Sequence, residues 1–164
     1  MPAPRPPTPA DATSSPMTPM DFALEQARNA AAHGEVPVGA VLTDATGAIL
    51  AAAHNLTEAR KDPTAHAEFL ALQAARAARG DKYLADCTLT VTLEPCALCA
   101  GAIAALRVGK LVFGAYDSKT GAVEHGPRLF SHATTHHKPE IIGGVREADC
   151  TALLNAFFSG LRNA

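Results

Sequence analysis

Thr92-Leu93-Glu94-Pro95-Cys96-Ala97-Leu98-Cys99-Ala100-Gly101 is the stretch from which the fold is read. Residues 87–93 run Cys-Thr-Leu-Thr-Val-Thr-Leu, and this alternation with β-branched residues predicts a strand. Glu94-Pro95 ends it, because proline has no N–H to give to a ladder. Residues 96–106 then read as a short helix. An earlier stretch has the same form: Asp62-Pro63-Thr64-Ala65-His66-Ala67-Glu68 leads into a helix expected over 66–79. Thr64 is its expected N-cap and Gly80 its C-cap.

Working outward, residues 19–32 form a loosely periodic helix (Phe22, Leu24, Ala27, Ala31), with Asp21 in its opening turn and Gly34 just past its end. Residues 36–43 and 48–54 make a hairpin about Asp44-Ala45-Thr46-Gly47. A polar loop is expected over 55–64. Residues 110–115 are an apolar strand, 140–145 a last strand and 147–161 a closing helix. The intervening 117–137 is rich in Gly, His and Pro and longer than a connection needs, which points to function. The order αββαβαβ(β)α implies an α/β domain. We expect a three-layer α/β/α sandwich around a mixed sheet of about five strands. Residues 1–18 hold six prolines (Pro2, Pro4, Pro6, Pro7, Pro9, Pro16) and are expected to be a disordered extension, leaving 19–164 as the folded domain.

At 164 residues and 48% hydrophobic, the chain has enough material for one core. No run is long and apolar enough for a membrane helix, and residues 1–19 lack the apolar block of a signal peptide, so a cytoplasmic protein without membrane attachment is expected. Its four cysteines then read as thiols or ligands, not disulfides. Cys87 and Cys150 have no partner pattern and read as small buried side chains. The net charge of −2 argues against a large basic footprint. It leaves open a local one built from Arg60, Lys61, Lys82, Arg107, Lys110, Lys119, Arg128 and Lys138.

Chemistry resides in the two helix starts. Cys96 and Cys99, three apart on one turn, point their sulfurs the same way. With His66 they offer three ligands to one zinc ion and leave its fourth position to water, the arrangement of catalytic zinc. Helix N-termini supply positive partial charge for thiolates. Glu68 is a carboxylate that need not be a ligand, free to shuttle protons. Alone, Cys-x-x-Cys also suits a redox pair, and with one of the other six histidines a closed structural zinc site.

The joint order, His-x-Glu followed by Pro-Cys-x-x-Cys, is the signature of zinc-dependent base deaminases. The chain resembles the cytidine-deaminase-like superfamily from about Phe22 to Leu161, and within it the bacterial tRNA-specific adenosine deaminases. The resemblance is carried by Glu35-Val36-Pro37-Val38-Gly39-Ala40-Val41-Leu42, by both metal motifs, and by Val112-Phe113-Gly114-Ala115-Tyr116-Asp117-Ser118-Lys119-Thr120-Gly121. It implies zinc on His66, Cys96 and Cys99, one ion per subunit, with Glu68 as the proton carrier. It further implies that Asn55 hydrogen-bonds the adenine, that backbone atoms of Ala67 and Pro95 touch the base, and that Asp117 contacts the target nucleotide's sugar. The partners implied are a tRNA anticodon stem-loop and a second copy of the chain. The expected reaction converts adenosine to inosine at the wobble position, in an arginine tRNA. Alternatives are a deaminase of guanine, cytosine or a nucleotide, and a non-enzymatic zinc-stabilised module. Residues 123–130, Val-Glu-His-Gly-Pro-Arg-Leu-Phe, depart from the family's Ala-Gly-Ser type.

Overall fold

The computed structural model describes residues 15–163, so most of the Pro-rich extension, residues 1–14, lies outside the described residues. The first element, α1 (Pro19–Ala32), opens with a capping box: the Asp21 amide donates to Thr18 Oγ1, and the Thr18 amide donates to the Asp21 carboxylate. A hairpin follows, β1 (Gly39–Thr43) and β2 (Ile49–His54). Then come a four-residue helix α2 (Thr57–Arg60), α3 (Ala67–Arg79), β3 (Thr88–Leu93), α4 (Ala97–Ala105) and β4 (Lys110–Ala115). A 3-10 turn (Leu129–Ser131), β5 (Glu140–Ile142) and α5 (Glu147–Arg162) complete the described chain.

Five strands form one mixed sheet in the order β2-β1-β3-β4-β5. β1 is antiparallel to β2 and β3, whereas β3, β4 and β5 run parallel. The period-2 pattern sorts side chains between two cores. Ala40 and Leu42 of β1, with Leu89, Val91, Leu111 and Phe113, face α3 and α4, while Val41 faces α1 and α5 with Leu24 and Cys150. The three-layer expectation holds. Cys87 and Cys150 are buried and unpaired. Gly39 lets α1 lie directly on β1: a Cβ there would run into the α1 backbone at Ala23 and Ala27.

Two local expectations are corrected. Thr64 is not the N-cap of α3. Its hydroxyl and amide both donate to Asp62 Oδ1 (2.7 and 2.9 Å), making a turn before the helix, and His66 takes the cap position. The loop after β2 is also not structureless, because α2 forms within it. The carboxylate of Glu35 accepts the amides of Glu58 (2.8 Å) and Ala59 (2.9 Å), capping this helix from 23 residues upstream.

Candidate metal centre

His66 and Cys96 occupy equivalent places, each the last extended residue before a helix (ψ 147° and 175°). Neither side chain caps its helix, so both are free to point outward. Cys99 lies in the first turn of α4 and is fully buried. His66 Nδ1 stands 3.5 Å from Cys96 Sγ and 3.6 Å from Cys99 Sγ, and all three donor atoms lie within 4.8 Å of one another. Two donors bound tetrahedrally to zinc, at ordinary Zn–S and Zn–N lengths, are about 3.6 Å apart. The donor set therefore fits a single zinc ion in both chemistry and spacing. Among the described residues no other group of three or more such donors converges, so the fourth ligand of a closed structural site is not supplied.

The electrostatics agree. The hydrogen bond from Cys99 pulls the Cys96 thiol down to about 4, against the opposing effect of burial and with help from His66. Cys99 moves the other way, raised by that same bond to Cys96 and by burial. The Cys96 thiolate in turn raises His66. One negative charge shared between two adjacent sulfurs is an arrangement that a divalent cation converts to two thiolates. Glu68, in the first turn of α3, is buried, and desolvation pushes its carboxyl up to about 7, with the Cys96 charge adding to the shift. A carboxyl at that value both accepts and releases a proton near neutrality.

These groups open into a cavity of about 190 Å³ whose walls include Asn55, His66, Glu68, Glu94, Cys96 and Asp117. Five of the sequence-expected residues thus line the same space. Cys99 lies behind it, ligand side toward His66. Ala67 and Pro95 are not among its lining residues, and they have backbone groups engaged elsewhere: the Ala67 amide donates to Asn55 Oδ1 (3.0 Å), and the Pro95 carbonyl accepts the Ala122 amide (2.9 Å). Asn55 Nδ2 donates to the Val36 carbonyl (3.3 Å). The Asp117 carboxylate accepts the amides of Lys119 and Thr120 and the Thr120 hydroxyl, and these outweigh burial to hold it below the usual carboxylate range.

Sequence reasoning missed Glu94. Its carboxylate is buried two residues before Cys96 and against the 117–125 segment. Burial raises it, but the His125 ring and the amides of Asp117, Glu124 and Val123 overcome that and leave it lowered. No local signal marks such a residue, because its donors are 23–31 residues downstream. From the cavity a groove of about 730 Å³ leads over Tyr116, Lys119, Thr120, Phe158, Leu161 and Arg162, sharing Asp117 and Thr120 with it. Of the scattered cations, Lys119 lies here, whereas Lys82 and Arg107 bracket the Tyr83 ring (5.1 and 4.2 Å) elsewhere.

Fold and site together define a class: an α/β protein with a mixed five-stranded sheet and a converged His/Cys/Cys donor set beside a buried glutamate, the arrangement of zinc-dependent deaminases. Residues 14–115 match the family described as the cytidine and deoxycytidylate deaminase zinc-binding region. The chain is 45% identical over 143 residues to the tRNA-specific adenosine deaminase of Bacillus subtilis, covering 87% of this chain and 88% of that protein. It is 44% identical over 139 residues to that of Agrobacterium fabrum (85% and 91% covered). A solved structure from a study of A-to-I editing by tRNA:A34 deaminases at the wobble position superposes with a TM-score of 0.81 at 43% identity, covering 83% of this chain and 98% of that one. The chain belongs to the zinc-binding cytidine and deoxycytidylate deaminase family and, within it, to the tRNA-specific adenosine deaminases.

Proposed function

We propose that this protein hydrolyses the amino group of the wobble adenosine of a tRNA, an arginine tRNA first, leaving inosine and releasing ammonia. The observation that carries this reading is the placement of Glu68. It is buried in the cavity wall, beside the converged His66, Cys96 and Cys99 donors and with its carboxyl near neutrality. His66, Cys96 and Cys99 would hold the zinc ion, which would supply a bound water with its pKa lowered toward about 7. Glu68 would take one proton from the attacking water and pass it to the ring nitrogen beside the adenine C6 as the water oxygen bonds to that carbon. It would then take the second proton from the new C6 hydroxyl and hand it to the amine as the C6–N bond breaks and ammonia leaves. Asn55 and Asp117 line the same small cavity, in which the nucleoside would sit.

The groove supports RNA over a free base as substrate. It joins two exposed aromatics, Tyr116 and Phe158, to the cations Lys119 and Arg162, a surface suited to unstacked bases and their phosphates. Unpaired loop nucleotides are the ones most easily delivered into such a pocket. The same reading takes one zinc per subunit, a homodimer and a cytoplasmic site of action; among the described residues no helix is long and apolar enough to cross a membrane. The test is the inosine content at the wobble position after incubating the protein with total tRNA, alongside Glu68→Ala protein that retains zinc. Glu68-dependent inosine in arginine tRNA is the expected result. Turnover of free guanine or cytosine with no inosine in tRNA would overturn it.

A further inference from the structure

The segment 117–125 winds around a single carboxylate. Glu94 Oε1 accepts the Asp117 amide (3.1 Å) and the His125 Nδ1–H (2.8 Å). Glu94 Oε2 accepts the amides of Val123 (3.2 Å), Glu124 (3.0 Å) and His125 (3.2 Å). Two main-chain ties add to this, from the Ala122 amide to the Pro95 carbonyl and a bridge between Cys96 and Gly121. Gly121 permits the wrap, because a Cβ there would press on the Glu94 carboxyl. The metal ligand Cys96 is two residues from Glu94, and the Asp117–Thr120 apex of the wrapped segment is the wall shared by cavity and groove.

Among the donors to Glu94, four are backbone amides that any residue except proline would supply. His125 supplies the fifth from its side chain. Its ring also lies edge-on to Tyr116 (6.2 Å, 72°), the groove aromatic adjoining Asp117. We propose that Glu94 and His125 form a clamp that sets the Asp117–Thr120 wall against the metal centre. In it His125 is a positioning residue for the RNA nucleotide flanking the target base. The inference rests on the RNA-deaminase reading. It makes His125 matter for capture of RNA, while proton transfer at the target base stays with Glu68.

The test uses the zinc-loaded full chain and an anticodon stem-loop RNA. His125→Phe keeps an aromatic ring beside Tyr116 and removes the donor; His125→Asn keeps a donor at the Nδ1 position and removes the ring. A hydrogen bond to a buried carboxylate is worth about a tenfold change in an equilibrium. The expected result is a KM for RNA raised about tenfold in H125F with kcat within about twofold, and KM restored to within about twofold in H125N. Amide hydrogen exchange at Asp117 and 123–125 should quicken in H125F and not in H125N. Unchanged KM in H125F, or an equal rise in KM and an equal loss of thermal midpoint in both variants, would overturn the clamp and leave the deaminase reading standing. Absence of inosine with the unmutated protein would overturn that reading, and the clamp's role with it.

Discussion

Asn55 Oδ1 accepts the main-chain N–H of Ala67 at 3.0 Å, joining the end of the hairpin to the first residue of the helix that carries His66 and Glu68. That amide is one of four that an α-helix cannot satisfy internally, and His66 at the cap contributes no side-chain bond. Asn55 therefore serves as a remote cap and, at the same time, as a wall of the cavity. Asn55→Ala should cost about 1–3 kcal/mol, the penalty for leaving a buried donor unpaired. It should also lower kcat/KM at least about tenfold, since the two reactive side chains lose their anchor and the base loses a polar wall. Urea melts and RNA turnover on the same preparation check both; wild-type values in both would show that Asn55 is an ordinary turn residue.

Metal removal should separate folding from chemistry. The donors sit on two helices from different parts of the chain, so an ion between them staples α3 to α4, and binding energy adds to folding stability. The protein as purified should hold about one zinc per chain, and each of His66→Ala, Cys96→Ala and Cys99→Ala should lose most of it. Chelation should lower the thermal midpoint and abolish turnover, with zinc restoring both. Metal analysis with calorimetry reads this directly, and full retention of zinc by Cys99→Ala would contradict the assigned ligand set.

Glu68→Gln preserves shape and removes the proton carrier. Zinc content should stay near the parent's while turnover falls by about 10²- to 10⁴-fold. The pH dependence of stability follows from the raised carboxyl. In the chelated protein the folded state holds a proton on Glu68 up to about 7, whereas the unfolded chain releases it near the ordinary glutamate value of 4.5. The parent therefore loses stability as pH rises through that window, while E68Q does not. Urea midpoints at pH 5 and pH 8 with chelator present should converge at the acid end and favour E68Q at the alkaline end. The opposite slope would mean that Glu68 is stabilised as a carboxylate.

The His66, Cys96 and Cys99 cluster was legible because zinc chemistry demands a fixed residue type at fixed local spacing, and the fold brings the three donors together. The strands were legible because alternation is a local property: Leu89 and Val91 turn to one face, and the intervening threonines turn to the other. Thr64 was misread because threonine serves both turns and caps, and Asp62 two residues earlier holds its hydroxyl in a turn. The roles of Glu35 and Glu94 could not be read at all. Each looks like a surface glutamate at the edge of an apolar run, and what distinguishes them is a set of amides brought in by distant parts of the fold.

Glu35 yields the last prediction. Its buried carboxylate accepts the Glu58 amide with both oxygens (2.8 and 3.2 Å) and the Ala59 amide with one (2.9 Å), while the Thr57 hydroxyl reaches it at 3.5 Å. A helix of four residues has almost no stability of its own, since nucleation fixes several residues for one hydrogen bond. The carboxylate therefore holds α2 in place, and with it Thr57 in the cavity wall. Glu35→Ala leaves two amides without an acceptor and should cost about 1–3 kcal/mol. Glu35→Gln keeps one oxygen acceptor but loses the charge, and should fall between the two. Urea denaturation at 25 °C orders the three proteins. If Glu35→Ala unfolds with the parent's midpoint, α2 is held by packing alone and the buried carboxylate has no part in shaping this side of the cavity.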